Sequence, residues 1–157
     1  MTFINLSWPH SSRLQTLTHR RSEDVLAPLV AEEASTHYTF GLDIVSWLSG
    51  STARPSVPHL ASVPISFPLI GLTQLVQYLV VCKVANLTPG ELRSQLSGAM
   101  GHSQGIVSAV LIATSGTFEE FADNSHKAIK WLFYSGLRGQ QVFPVTSVEH
   151  SSFKMQL

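Results

Sequence analysis

Gly101-His102-Ser103-Gln104-Gly105 is the stretch of this chain whose residue types and spacing could do covalent chemistry. A serine flanked by glycines two residues before and after it fits the nucleophile elbow. In that turn the hydroxyl stands exposed at a strand-to-helix corner. The small neighbours let the backbone fold tightly. The helix that follows directs its dipole and its free N–H groups at developing negative charge. Ser103 is the candidate nucleophile, and the backbone N–H of Gln104 is a candidate oxyanion donor. Gly101, His102 and Gly105 are expected to support the elbow. The pattern alone arises by chance in roughly one chain of this length in twenty, so it needs context.

A serine nucleophile also needs a base. His102 is adjacent, but neighbours in a tight elbow point apart, so it reads as packing or hydrogen-bonding support. His126 falls on a helix and His150 in a patternless tail. His10, His19, His37 and His59 fall outside any recognisable site. No set of His, Cys, Asp or Glu has metal-ligand spacing, so no metal is expected. Cys82 is the only cysteine, so neither an intrachain disulfide nor a cysteine zinc site can form.

The 157 residues suffice for one domain with a real core. Hydrophobic residues make up 44% and charged residues 13%, against about 25% charged in an ordinary soluble domain. Net charge is zero and no basic run is present, so nucleic acid is not an expected partner. The N-terminus lacks the basic-then-apolar pattern of a signal peptide. The stretch 69–87 is apolar enough to suggest a membrane span, but Gln74, Gln77, Lys83 and Asn86 favour a buried helix of a soluble protein. No membrane partner is expected.

Residues 1–21 read as a lead-in without period. Ser22 is placed to cap a first helix. Leu42, Val45 and Leu48 share a face of a short helix over 40–48, with a loop over 49–58. Pro64 and Pro68 bracket the start of a helix over 69–85. Thr88-Pro89-Gly90-Glu91 and Thr117-x-x-Glu120 are capping boxes opening two further helices. Ala99 and Met100 leave room for a very short buried strand before the elbow, with a helix over 106–114 after it. A long amphipathic helix runs from Thr117 to about 136 or 141. Cys82, Trp47, Trp131, Phe133 and Tyr134 read as packing residues, and Glu119, Glu120 and Asp123 as a solvated first turn.

The run SVPISFPLIGLTQLVQYLVVCKVANLTPGELRSQLSGAMGHSQGIVSAVLIA resembles the N-terminal acetyltransferase (starter acyltransferase) domain of the fungal fatty acid synthase β subunit. The likeness covers roughly 22–144, so 1–21 and 145–157 stand as an unmatched lead-in and tail. It implies an α/β fold: a partial acyltransferase (α/β-hydrolase-like) core, mostly helical here, with a strand–elbow–helix at Ser103. It implies a cytoplasmic enzyme that loads acetyl or a short neutral acyl group from acyl-CoA, through an acyl-serine, onto the phosphopantetheine of acyl carrier protein. The fatty acid synthase α subunit is the implied partner, and no bound cofactor is implied. The pathway is fatty acid or polyketide-starter synthesis.

Malonyl-loading relatives carry an arginine that holds the malonyl carboxylate. At the matching stretch, Tyr134-Ser135-Gly136, this chain has Ser135, which makes Ser135 a candidate determinant of a neutral acyl group. Arg138 lies three residues on, away from the malonate position. The family's second oxyanion element and its base histidine have no match here. The resemblance therefore describes a domain truncated at both ends, with a catalytically inactive remnant or interaction fragment as the alternative. A small serine hydrolase is disfavoured, because no acid–base pair accompanies the elbow.

Overall fold

The computed structural model describes residues 26–33, 38 and 41–142. The expected cap at Ser22, the 1–21 lead-in and the 145–157 tail lie outside them. Among the described residues there are seven helices and no strand: α1 (Ala27–Glu33), α2 (Ile44–Ser49), α3 (Val57–Ala61), α4 (Val63–Ala85), α5 (Pro89–Ser94), α6 (Gly105–Thr114) and α7 (Phe118–Val142). The mostly helical expectation holds. The strand expected at Ala99–Met100 does not form. No neighbouring strand is present among the described residues, so an isolated segment has no ladder to join. Met100 is 96% exposed instead of buried.

The core lies where α4 packs along α7, the largest helix–helix interface. Ile65, Leu72 and Leu75 of α4 are buried with Phe121, Ile129, Leu132, Phe133 and Leu137 of α7. Two glycines bring the backbones together. A Cβ on Gly71 would overlap Cδ1 of Leu132. A Cβ on Gly136 would lie 2.8 Å from the Val63 carbonyl oxygen and 3.1 Å from Phe67 Cβ. Glycine serves here by its missing side chain, whatever its conformational freedom.

α4 begins six residues before the expected start at 69. Pro64 sits in its first turn, where the missing N–H costs nothing. Pro68 lies inside the helix, with no N–H to offer the Pro64 carbonyl. Tyr38 Oη donates to that carbonyl at 3.4 Å and stacks on Phe133 at 5.1 Å between ring centroids. A residue distant in sequence thus takes the place of the lost helical bond. By length and composition α4 could also cross a membrane. In the fold its inner face is covered by α7, while Val80, Val81 and Val84 face outward.

The local capping signals form as read. Glu91 N donates to Thr88 Oγ1 at 3.2 Å and Thr88 N to Glu91 Oε2 at 2.7 Å. Glu120 N donates to Thr117 Oγ1 at 3.1 Å, and both Thr117 N and Gly116 N return to Glu120 Oε2, at 3.1 and 2.8 Å. The face expected for α2 is corrected. Leu48 is 68% exposed, whereas Ile44 and Trp47 are buried. Asp43 caps that helix by accepting from Ser46 N at 3.0 Å, which sets the start at Ile44 and rotates Leu48 outward. α3 occupies part of the expected loop, capped by Ser56.

Candidate active site

Ser103 has φ +53°, in the left-handed region that side-chain-bearing residues rarely adopt. Gly105 N donates to the His102 carbonyl at 2.9 Å, and Ile106 N to the Ser103 carbonyl at 3.1 Å. The chain turns over Ser103 directly into α6. Gly101 is what lets it do so. A Cβ there would overlap the Gly105 carbonyl and the Ile106 nitrogen. The same demand does not fall on Gly105, where a Cβ would meet only Gln74 Nε2 at 4.0 Å.

The elbow is anchored from α4. Ser108, buried on α6, donates its hydroxyl to Gln74 Oε1 at 2.7 Å. The far end of α6 is held as well. Arg93 Nη1 donates to the Ala113 carbonyl at 2.6 Å, Gly90 N to the Gly116 carbonyl at 2.8 Å, and Asn124 Nδ2 to Ser115 Oγ at 3.0 Å. Gln74 stood out in the sequence only as a polar residue within an apolar run, and Ser108 not at all, because the bond joins residues on separate helices.

Ser103 is exposed at one end of a groove of about 460 Å³ between α6 and α7. Ile106, Val107, Val110, Leu111, Ala128 and Trp131 give it an apolar lining. Trp131, read as a packing residue, is 56% exposed and stands on the groove wall. Ser135 is half-buried and lines a second groove, which shares Trp131 with the first. Gln104 precedes α6, with helical backbone and a buried side-chain oxygen that has no hydrogen-bond partner among the described residues.

His102 is exposed, and no side-chain hydrogen bond to the elbow is formed by it among the described residues. His126 is exposed on α7 and lines neither groove. His59 belongs to α3 and does not line the Ser103 groove. His10, His19, His37 and His150 lie outside the described residues. A strained serine, a helix start and an apolar groove are thus brought together, with no acid–base partner on Ser103 among the described residues. No group of three or more His, Cys, Asp or Glu there could hold a metal ion.

A strained Gly-x-Ser-x-Gly turn opening an apolar helix is shared by many acyl-transferring and hydrolytic folds, so the geometry alone names none. The comparison with known sequences decides. The family described as "Starter unit:ACP transacylase in aflatoxin biosynthesis" matches residues 9–153. The chain belongs to this starter-unit transacylase family. It is 46% identical over 118 residues, or 75% of its length, to the fatty acid synthase beta subunit aflB of Emericella nidulans. It is 44% identical over 132 residues, or 83% of its length, to the fatty acid synthase subunit beta of Saccharomyces cerevisiae. To the corresponding subunit of Schizosaccharomyces pombe it is 45% identical over 120 residues, or 76% of its length. The chain spans about 6% of the length of these three curated relatives. The starter-unit transacylase family thus supplies the acyltransferase assignment, and Ser103 on its elbow is the candidate nucleophile.

Proposed function

We propose that this chain supplies the nucleophile-bearing part of a starter-unit acyltransferase acting within a cytoplasmic fatty acid synthase. Ser103 Oγ attacks the thioester carbonyl of an acyl-CoA. The C–S bond breaks, and the CoA thiol leaves with the serine proton. The phosphopantetheine thiol of acyl carrier protein then attacks the serine ester, the C–O bond breaks, and Ser103 regains its proton. The backbone N–H of Gln104 stabilises the oxyanion of both tetrahedral intermediates. The synthase α subunit is the assembly partner in this reading.

One observation carries it: the positive φ of Ser103 at the start of α6. A strained serine backbone persists where the surrounding structure holds it, and such strain clusters at working sites. The apolar groove beside it suits an uncharged acyl group. Ser135, beyond Trp131, stands where malonyl-loading relatives carry an arginine, and that difference supports acetyl or a short neutral acyl over malonyl, although Lys127, Lys130 and Arg138 line the same groove.

A second reading is favoured by a different observation. No histidine touches Ser103 among the described residues, and loss of the base in comparable sites costs several powers of ten in rate. In that reading the chain is a catalytically silent piece of a synthase. Intact-mass measurement after incubation with acetyl-CoA separates the two. A single acetyl adduct that disappears in Ser103→Ala supports the enzyme, and a chain that stays unmodified under those conditions supports the silent piece.

A further inference from the structure

Helix α7 is electrically lopsided. Glu119, Glu120 and Asp123 crowd its first turns, and from Asn124 to Val142 it has no acidic residue. That remainder carries Lys127, Lys130 and Arg138. All three are exposed, and they line one groove of about 490 Å³ with Trp131, Tyr134 and Ser135. Positions 127, 130–131, 134–135 and 138 recur at helical spacing, which puts them on one face. Lys127 and Lys130 make no ion pair among the described residues, and Arg138 reaches only the neutral Gln141 Oε1, at 3.2 Å.

The helix dipole favours cations in the last turn, where α7 has none, so it does not account for these charges, nor for an indole left 56% exposed among them. Trp131 also forms the wall of the Ser103 groove. The apolar groove and the cationic groove therefore share this side chain as a wall.

We infer that the cationic groove binds the phosphorylated nucleotide end of the acyl-thioester donor, with Lys127, Lys130 and Arg138 on the phosphates and Trp131 against the purine. The identity of that donor as an acyl-CoA rests on the function proposed above. Lysine offers a mobile point charge and arginine a planar fork, and both suit phosphate oxygens. A flat exposed indole suits a base face. An acyl group arriving on a carrier protein ends in one phosphodiester with no purine, so it would use the cations and not the indole.

The test is calorimetric titration of the full chain with CoA and with phosphopantetheine, without any acyl group. All four side chains are on the surface, and circular dichroism verifies that each variant is folded. Lys127→Glu/Lys130→Glu should weaken CoA about tenfold, and the wild-type affinity should fall with salt. Trp131→Ala should weaken CoA but leave phosphopantetheine unchanged. CoA that fails to bind the wild type, or binds the double lysine variant equally well, overturns the site. Equal loss of both ligands in Trp131→Ala overturns the purine contact. The proposed reaction is read separately, as acyl-Ser103 formed from a short N-acetylcysteamine thioester that has no nucleotide. A chain that binds CoA through this groove yet forms no acyl-serine keeps the site and loses the reaction.

Discussion

Ser108 Oγ donates to Gln74 Oε1 across 2.7 Å, and this one bond between side chains joins the elbow helix α6 to α4. Ser108 is buried, so water cannot replace its partner freely. Ser108→Ala leaves the Gln74 amide short of a donor and should cost about 1–2 kcal/mol in urea unfolding. Gln74→Leu should cost a similar amount. The double variant should cost less than the two together. Strictly additive costs would show that the pair does not act as a unit.

The left-handed backbone at Ser103 is a stability cost. Ser103→Gly and Ser103→Ala both remove the hydroxyl, but only glycine relieves the strain. The glycine variant should be more stable than the alanine variant by about 1 kcal/mol, raising the thermal midpoint by roughly 2–4 °C. Equal midpoints would mean that the turn is not strained in solution.

Gly101 faces a sharper constraint, because backbone rather than a flexible side chain fills the space of its absent Cβ. Gly101→Ala must open the turn. It should destabilise the chain by about 1–3 kcal/mol and abolish any acyl-Ser103 adduct. Gly105→Ala, with only Gln74 Nε2 at 4.0 Å, should lose much less of both. Comparable losses at the two glycines would contradict this division.

Hydrogen bonds from backbone N–H groups hold two carboxylates below their usual range: Glu91 chiefly through Thr88 N, Glu120 chiefly through Gly116 N and then Thr117 N. A folded-state pKa lower than the unfolded one adds stability above the unfolded value, near 4.5. That contribution is lost as pH falls through the depressed folded values. Thermal midpoints should therefore decline below about pH 4.5. Glu91→Gln/Glu120→Gln should show a shallower decline over the same window, and an unchanged slope would remove these caps as its source.

Cys82 is fully buried in α4, and burial pushes its thiol up, away from the reactive thiolate. Iodoacetamide at pH 8 should leave the native chain unmodified and label one site once denaturant unfolds it. Rapid labelling without denaturant would mean that α4 separates from its neighbours in solution.

The parts of the fold legible in the sequence were those whose partners sit within a few residues. Thr88 with Glu91 and Thr117 with Glu120 are three residues apart, so residue type and spacing sufficed to place two helix starts. The Gly-x-Ser-x-Gly turn is equally local, and so was Ser103. The helix face at Leu48 and the solvent-facing Trp131 were misread, because apolar periodicity says that a residue can be buried, not that something covers it. The strand before the elbow failed for a related reason, since a strand exists only with a neighbour to pair.

The sequence by itself determined the elbow, its helix, its caps and the family, because each is written in short-range pattern or continuous likeness. Tertiary structure decided what supports them. It paired Gln74 with Ser108, set Leu132 over Gly71, sent the Tyr38 hydroxyl to the carbonyl that Pro68 leaves open, and put Trp131 on the walls of two grooves. Each of these brings together residues on different helices, or faces whose cover comes from elsewhere in the chain. Their energies depend on distances that only the packed backbone sets.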